Sequence, residues 1–336
     1  MSRLILHIGP HKTGTSAIQR FCYQNWSALK KQGFHYAKAG IWEDFSHHAI
    51  YFSLQDCSDH VLKAVKQEIS SLTEDEYYII SSEVLGLGIG KNFLNKFIDF
   101  VKSNFDEINL IVYARRQDHL AESIYRHWVK APENGLKANP LIFYKSQKKL
   151  MALDIYDTIQ NWVAEISPNN VIVRIYERGK AQDNTPLDFL TALGLQEDGF
   201  DLTNNTVNHS LDNNALAIIR ALNTFPVDVG DRKKIRDILL YKIQKSNNKT
   251  SIFSPKFRND IIKDYEDSNC QLAIKYLGSK TLFSEPLPDE SQPWVDPLSN
   301  IDQKIIDESI GILFKHHDMV KLLFSQLFNS KIRNLN

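Results

Sequence analysis

Gly9, Lys12, Gly14, Thr15 and Ser16 fall within the run LILHIGPHKTGTSAIQ at 4–19. These residue types at this spacing suit the binding of an anion. Glycines let backbone amides approach a phosphate, a following helix directs its positive end at it, and lysine adds a full charge. Gly9 and Gly14 are five apart, as in a nucleotide-hydrolysing loop G-x-x-x-x-G-K-[ST], but Thr15 stands where that loop has its lysine. The lysine lies inside the loop, at position 12. A second anion candidate is LIVYARRQDHLAESIYRHWVK at 110–130, where Arg115 ends an apolar run and Ser123 follows eight residues on. Arginine offers a charged fork to a phosphate, and serine a hydroxyl donor. Candidates for proton transfer are Glu83, in ISSEVL at 80–85, and His47 and His48, in SHHAI at 46–50. A histidine titrates near ~6.5 and suits base work at neutral pH, whereas a glutamate needs burial to raise its pKa. His11 sits inside the loop and is a candidate contact to a bound group.

The order K-T-G-T-S at 12–16 resembles the 5′-phosphosulfate loop of sulfotransferases that use 3′-phosphoadenosine-5′-phosphosulfate (PAPS). The Arg115 and Ser123 pair resembles their 3′-phosphate site. Weaker likenesses run through ISSEVL, SHHAI, VNHSLDNNAL at 207–216 and DYEDSNCQLAIKYLG at 264–278 to bacterial carbohydrate-type sulfotransferases. There is no copy of the C-terminal Gly-rich nucleotide loop of the cytosolic small-molecule enzymes, so adenine-binding residues are not assigned.

The resemblance implies transfer of a sulfuryl group from PAPS to an acceptor hydroxyl, on a carbohydrate such as a polysaccharide or glycolipid, with no metal required. It implies that His11, Lys12, Thr13, Gly14, Thr15, Ser16, Arg115 and Ser123 hold the nucleotide. Lys12 would stabilise the leaving oxygen. Glu83 or His48, with His47 behind them, would take the acceptor proton. Trp42, Tyr51, Trp128 and Tyr144 are aromatic candidates for stacking on a sugar, although core packing is the commoner use of such rings. Other readings stand beside these. Thr15 and Ser16 are ordinary helix caps, Arg115 can pair with Asp118 or Glu122, and Glu83 can serve as a structural acceptor or a partner of Lys12. A P-loop nucleotide kinase, or a nucleotide-binding protein without turnover, is the alternative function.

Positioning these residues requires strands that end where they lie. Apolar runs predict strands at 4–8, 34–37, 77–81, 108–113 and 171–176, with helices at 16–31, 61–72, 92–103, 155–165 and after Arg115, where Asp118 is a candidate N-cap. Such alternation predicts an α/β, P-loop-like three-layer fold around a parallel sheet of about five strands. Ligands of such sheets sit at the carboxyl ends of the strands, where both anion motifs and Glu83 fall. The expected division is a PAPS-binding core over 1–200 and a mostly helical part over 201–336. Helices are expected near 216–222, 235–243, 257–265 and 305–328, and a proline-rich loop at 284–299.

The 336 residues, 43% hydrophobic, are ample for a large core. Lys+Arg and Asp+Glu are 40 each, so the net charge is zero and a nucleic-acid partner is not expected. Cys22, Cys57 and Cys270 are few and far apart, suggesting neither a disulfide framework nor a zinc site. The apolar start is too short for a signal peptide or for a membrane span of ~20 residues. A cytoplasmic bacterial enzyme is the expectation; the oligomeric state is not predicted.

Overall fold

The structure, a computed structural model, describes residues 2–88, 92–203, 213–223, 228–242 and 250–295. It divides into two compact units, each assembled from separate stretches of chain. The first comprises 1–120, 152–207 and 263–286, and the second 121–151, 208–262 and 287–336.

The first unit is an α/β fold around five parallel strands. These are β1 (Arg3–His7), β2 (Phe34–Tyr36), β3 (Tyr77–Ser81), β4 (Glu107–Ala114) and β5 (Asn170–Ile175), in the order β2-β3-β1-β4-β5. Register places His7 beside Ser81 on one side and Ile111 on the other, so the chain leaves β1, β3 and β4 at one edge of the sheet. The strands are apolar along both faces because both faces are covered. Leu4, Leu6 and Ile8 join one core with Ile50, Leu54, Val65, Phe97 and Trp162. These come from helices α3 (His48–Gln55), α4 (His60–Ile69), α6 (Asn95–Asn104) and α9 (Ile155–Ile166). Ile5, on the opposite pleat, joins Ile18, Phe21, Leu29 and Phe189. Those belong to α1 (Thr15–Gln24), α2 (Trp26–Lys31) and α10 (Thr185–Ala192).

The helix expected over 16–31 is two helices, broken at Asn25. The Asn25 amide donates to the Phe21 carbonyl at 3.1 Å and to the Asp201 carbonyl at 2.9 Å. An asparagine that bonds backbone carbonyls locally competes with the helix ladder. Asp118 is not the N-cap of α7 (Gln117–Lys130); it lies in the first turn, and its carboxylate is taken up by Arg116. His48 is the first residue of α3.

The second unit is helical in its described part. The end of α7 is joined there by α8 (Pro140–Gln147), α11 (Asn213–Leu222), α12 (Val229–Lys242) and α13 (Pro255–Lys263). Tyr125 packs edge-on to Phe143 and Phe253 and donates to the Ala138 carbonyl at 3.0 Å. The helix expected at 305–328 and most of the 207–216 segment lie outside the described residues. A further helix, α14 (Glu266–Leu277), returns to the first unit.

One short helix matters most for the site. Helix α5 (Glu83–Gly88) starts two residues after β3 ends. It lies so close to β1 that a Cβ added at Gly86 would stand 2.5 Å from the Ile8 carbonyl oxygen. An alanine for glycine in a helix normally gains about 1 kcal/mol. We expect Gly86→Ala to lose about 1–3 kcal/mol instead, by overpacking against backbone. Urea unfolding measures this, and a stabilised variant would contradict the close approach.

Candidate active site

The turn after β1 winds through three left-handed residues, Gly9 (φ 89°), Lys12 (φ 65°) and Gly14 (φ 79°). Left-handed backbone is easy for glycine and costs about 1 kcal/mol or more for lysine. At Gly9 a Cβ would lie 2.6 Å from the Glu83 Cβ. At Gly14 it would lie 2.7 Å from the Thr185 hydroxyl. The Thr13 hydroxyl donates to the Pro10 carbonyl at 2.7 Å and closes the turn. Helix α1 then begins at Thr15, with no acidic residue in its first turn and no side chain capping its amides. Its positive end is therefore turned towards the loop.

Glu83 is the centre of the polar cluster beneath that loop. It is 6% exposed. The Thr15 hydroxyl donates to its Oε1 at 3.1 Å, and the Gln19 amide donates to its Oε2 at 2.8 Å. His11 Nδ1 stands 3.5 Å from Oε1, and His48 Nε2 3.8 Å from Oε2. Burial pushes the Glu83 carboxyl up, but His11, His48 and the Gln19 amide outweigh it, and the group is held well below the usual carboxylate range. It is a persistent anion and a weak base.

The two adjacent histidines have different surroundings. His47 is fully buried. Its Nδ1 accepts from the Ser81 amide at 2.9 Å, and its Nε2 faces the Ala37 carbonyl at 2.9 Å. Both nitrogens are committed to backbone, which fixes a neutral ring. His48 has Nδ1 at 2.8 Å from the Ser82 hydroxyl and Nε2 3.7 Å from Asp44 Oδ2. Burial lowers its pKa, against the pull of the Glu83 and Asp44 charges. A neutral imidazole thus faces two carboxylates at distances too long for direct hydrogen bonds.

Arg115 of the second motif reaches the loop of the first, within the first unit. The Arg115 guanidinium donates to the Lys12 carbonyl at 2.5 Å, across 103 residues of sequence, and lies over the Tyr176 ring at 5.4 Å. Arg116 points elsewhere. It is buried, paired with Asp118, and donates to the carbonyls of Glu285 and Pro286 at 3.1 and 2.9 Å. Ser123 lies on α7 in the second unit. Ser16 is exposed at the start of α1. Among the described residues there is no group of three or more potential metal ligands, and no helix is long and apolar enough to cross a membrane.

Gln19, Asp44, Ser82 and Glu177 were not anticipated. Gln19 is one helical turn beyond Thr15, so the α1 pattern carried its signal. Glu177 lies two residues after the end of β5 and accepts from the Ser284 amide at 2.8 Å, tying 284–285 to the same end of the sheet. The strand-end position was legible in the sequence; the partner was not.

No family model matches the chain. It is 28% identical over 236 residues to an uncharacterized protein of Archaeoglobus fulgidus, a match covering 69% of this chain and 62% of that protein. The chain thus spans less than two thirds of that relative's length. A sulfotransferase of Alicyclobacillus acidocaldarius of known structure superposes with a TM-score of 0.42 at 13% identity, over 66% of this chain and 93% of that one.

Burial pulls the pKa of both His7 and His47 down to about 4, against the Glu83 charge at His7 and the backbone hydrogen bonds at His47. In the unfolded chain each titrates near its ordinary 6.5. The unfolded state therefore binds more protons between these values, so stability is complete above 6.5 and falls as the pH falls towards 4. By pH 5 the loss is on the order of 2 kcal/mol for each histidine. Urea unfolding at pH 7.5 and pH 5 reads it, and equal stability at the two would contradict the buried neutral rings.

Proposed function

We propose that the protein is a PAPS-dependent sulfotransferase. The hydrogen bond from Arg115 to the Lys12 carbonyl carries this reading, because it joins two motifs that separately suit the two phosphate ends of one nucleotide. The 5′-phosphosulfate would lie in the loop of His11, Lys12, Thr13, Gly14, Thr15 and Ser16, at the positive end of α1. The 3′-phosphate is assigned to Arg115.

In the proposed reaction the acceptor hydroxyl oxygen forms a bond to sulfur as the bond from sulfur to the bridging phosphate oxygen breaks. The acceptor proton passes to a base. The bridging oxygen leaves with 3′-phosphoadenosine-5′-phosphate (PAP) and gains negative charge, which Lys12 stabilises. Positioning and electrostatics supply most of the catalysis, as in phosphoryl transfer. Of the base candidates we favour His48. It is kept neutral by burial and stands beside the loop, whereas both Glu83 oxygens already accept hydrogen bonds. Glu83 would then orient His48 and His11 and favour the imidazolium that forms. His47 is committed to backbone on both nitrogens. A carbohydrate acceptor is supported by the resemblance of the 46–50 and 80–85 segments.

PAP should raise the melting temperature more than ADP does, because only PAP carries a 3′-phosphate. A ligand at ~100 times its Kd adds ~2.7 kcal/mol of stability. Greater stabilisation by ATP with magnesium would favour a nucleotide kinase. Lys12→Ala should remain folded and lose nearly all sulfuryl turnover. His48→Ala should keep the PAP shift and lose ~100-fold or more in transfer. Glu83→Gln should lose both PAP affinity and transfer, because the Thr15 and His11 contacts go with it. If Glu83→Gln keeps PAP affinity and loses transfer while His48→Ala stays active, the base is Glu83 and not His48.

A further inference from the structure

Trp42 is 44% exposed and Tyr23 47% exposed. Large rings left half in water beside a polar cluster are more informative than rings in a core. The other aromatic candidates are otherwise occupied: Tyr51 and Tyr144 are buried, and Trp128 packs on Phe143. Trp42 packs on Phe52 at 5.1 Å, and Phe52 in turn meets the ring of His48 edge-on at 6.2 Å. Tyr23 stacks on Phe45 at 4.6 Å.

The turn carrying these rings is fixed. The Trp42 amide donates to the Ser46 carbonyl at 2.7 Å, and the Phe45 amide to the Trp42 carbonyl at 2.9 Å. The Tyr36 hydroxyl donates to the Phe45 carbonyl at 2.7 Å. Asp44 sits within it. Its Oδ1 accepts from the Ser46 amide at 3.1 Å, and its half-exposed carboxylate places Oδ2 3.7 Å from His48 Nε2. An exposed ring, an exposed carboxylate and a buried imidazole therefore follow one another along a single turn and the start of α3.

We propose that the 42–46 turn and the adjoining Tyr23 on α1 form an acceptor subsite for a neutral oligosaccharide. The carbon face of one pyranose lies on Trp42, where an aromatic ring supplies apolar area at small entropic cost. Asp44 accepts from its hydroxyls, and charge-assisted hydrogen bonds of this kind are the stronger ones. The neighbouring hydroxyl is directed to His48. Glu43 and Asp44 are both exposed on the turn, so a sulfated or uronic-acid chain is repelled. The subsite deepens the proposed sulfotransferase reading, which it needs only for the fate of the hydroxyl.

The test uses the full chain and titrates it with cello-, chito- and mannotetraose and with a heparin tetrasaccharide, read by saturation-transfer NMR and tryptophan fluorescence. At least one neutral tetrasaccharide should bind saturably and heparin should not. Trp42→Ala should weaken binding about tenfold or more, Trp42→Tyr should restore most of it, and Asp44→Asn should weaken it while leaving the fold intact. The PAP-induced thermal shift should persist in Trp42→Ala. Binding unchanged in Trp42→Ala, no binding of any neutral member, or preference for heparin overturns the subsite. Absence of a PAP shift in the unmutated protein, with Trp42-dependent sugar binding intact, overturns the sulfotransferase reading and leaves the subsite standing.

Discussion

Glu83 is a charged carboxylate taken almost wholly out of water, and its neighbourhood is organised around keeping it so. The idealised cost of moving such a charge inside is on the order of 20 kcal/mol, and several remain after relaxation unless hydrogen bonds and countercharges offset them. Four residues from three separate pieces of chain supply the compensation. Thr15 and Gln19 come from one face of α1, His11 from the loop before it, and His48 from the start of α3. Each must sit within a few ångströms of one point, so each fixes the others. Gly9 and Gly86 then follow as steric necessities, since a side chain at either would push α5 and its carboxylate off β1.

On the proposed reading, the same constraint explains how a chain of zero net charge can present a local anion site. The negative charge lies beneath the loop, already committed to hydrogen bonds. The amides of the first turn of α1, Lys12 and Arg115 stand at the loop itself. Arg115 reaches the Lys12 carbonyl from the end of β4, so the loop is held from two strands. Arg116, one residue on, faces the opposite way and holds the 285–286 backbone. Successive residues of an extended chain point to opposite sides, and two consecutive arginines thereby serve two tasks. On the proposed reading the loop binds the donor while the His48 side receives the acceptor.

Much of the sheet was legible because parallel strands covered on both faces read as near-continuous apolar runs. YYIIS at 77–81 is such a run, and β3 spans those residues. The positions of Glu83 and Arg115 followed, since both come just after strands, at the carboxyl edge of the sheet. What the sequence did not disclose depends on partners distant in the chain. Nothing in the dipeptide His47–His48 says which ring will bond backbone and which will face carboxylates. Helical rotation at the start of α3, and the Ala37 and Ser81 groups that receive His47, decide it. The break at Asn25 is likewise set by a side-chain bond to Asp201 that no local pattern contains. The assembly of 121–151 with 208–262 is a tertiary fact with no marker in composition.

The most direct measurement is 31P NMR of PAP titrated with the protein, since its two phosphates report separately. If the Lys12 loop and Arg115 form one nucleotide site, both resonances move and broaden together with a single dissociation constant. Arg115→Ala should then abolish the 3′-phosphate change while the 5′-phosphate change persists at higher protein concentration. Movement of the 5′ resonance alone in the unmutated protein, or of neither, would contradict the account.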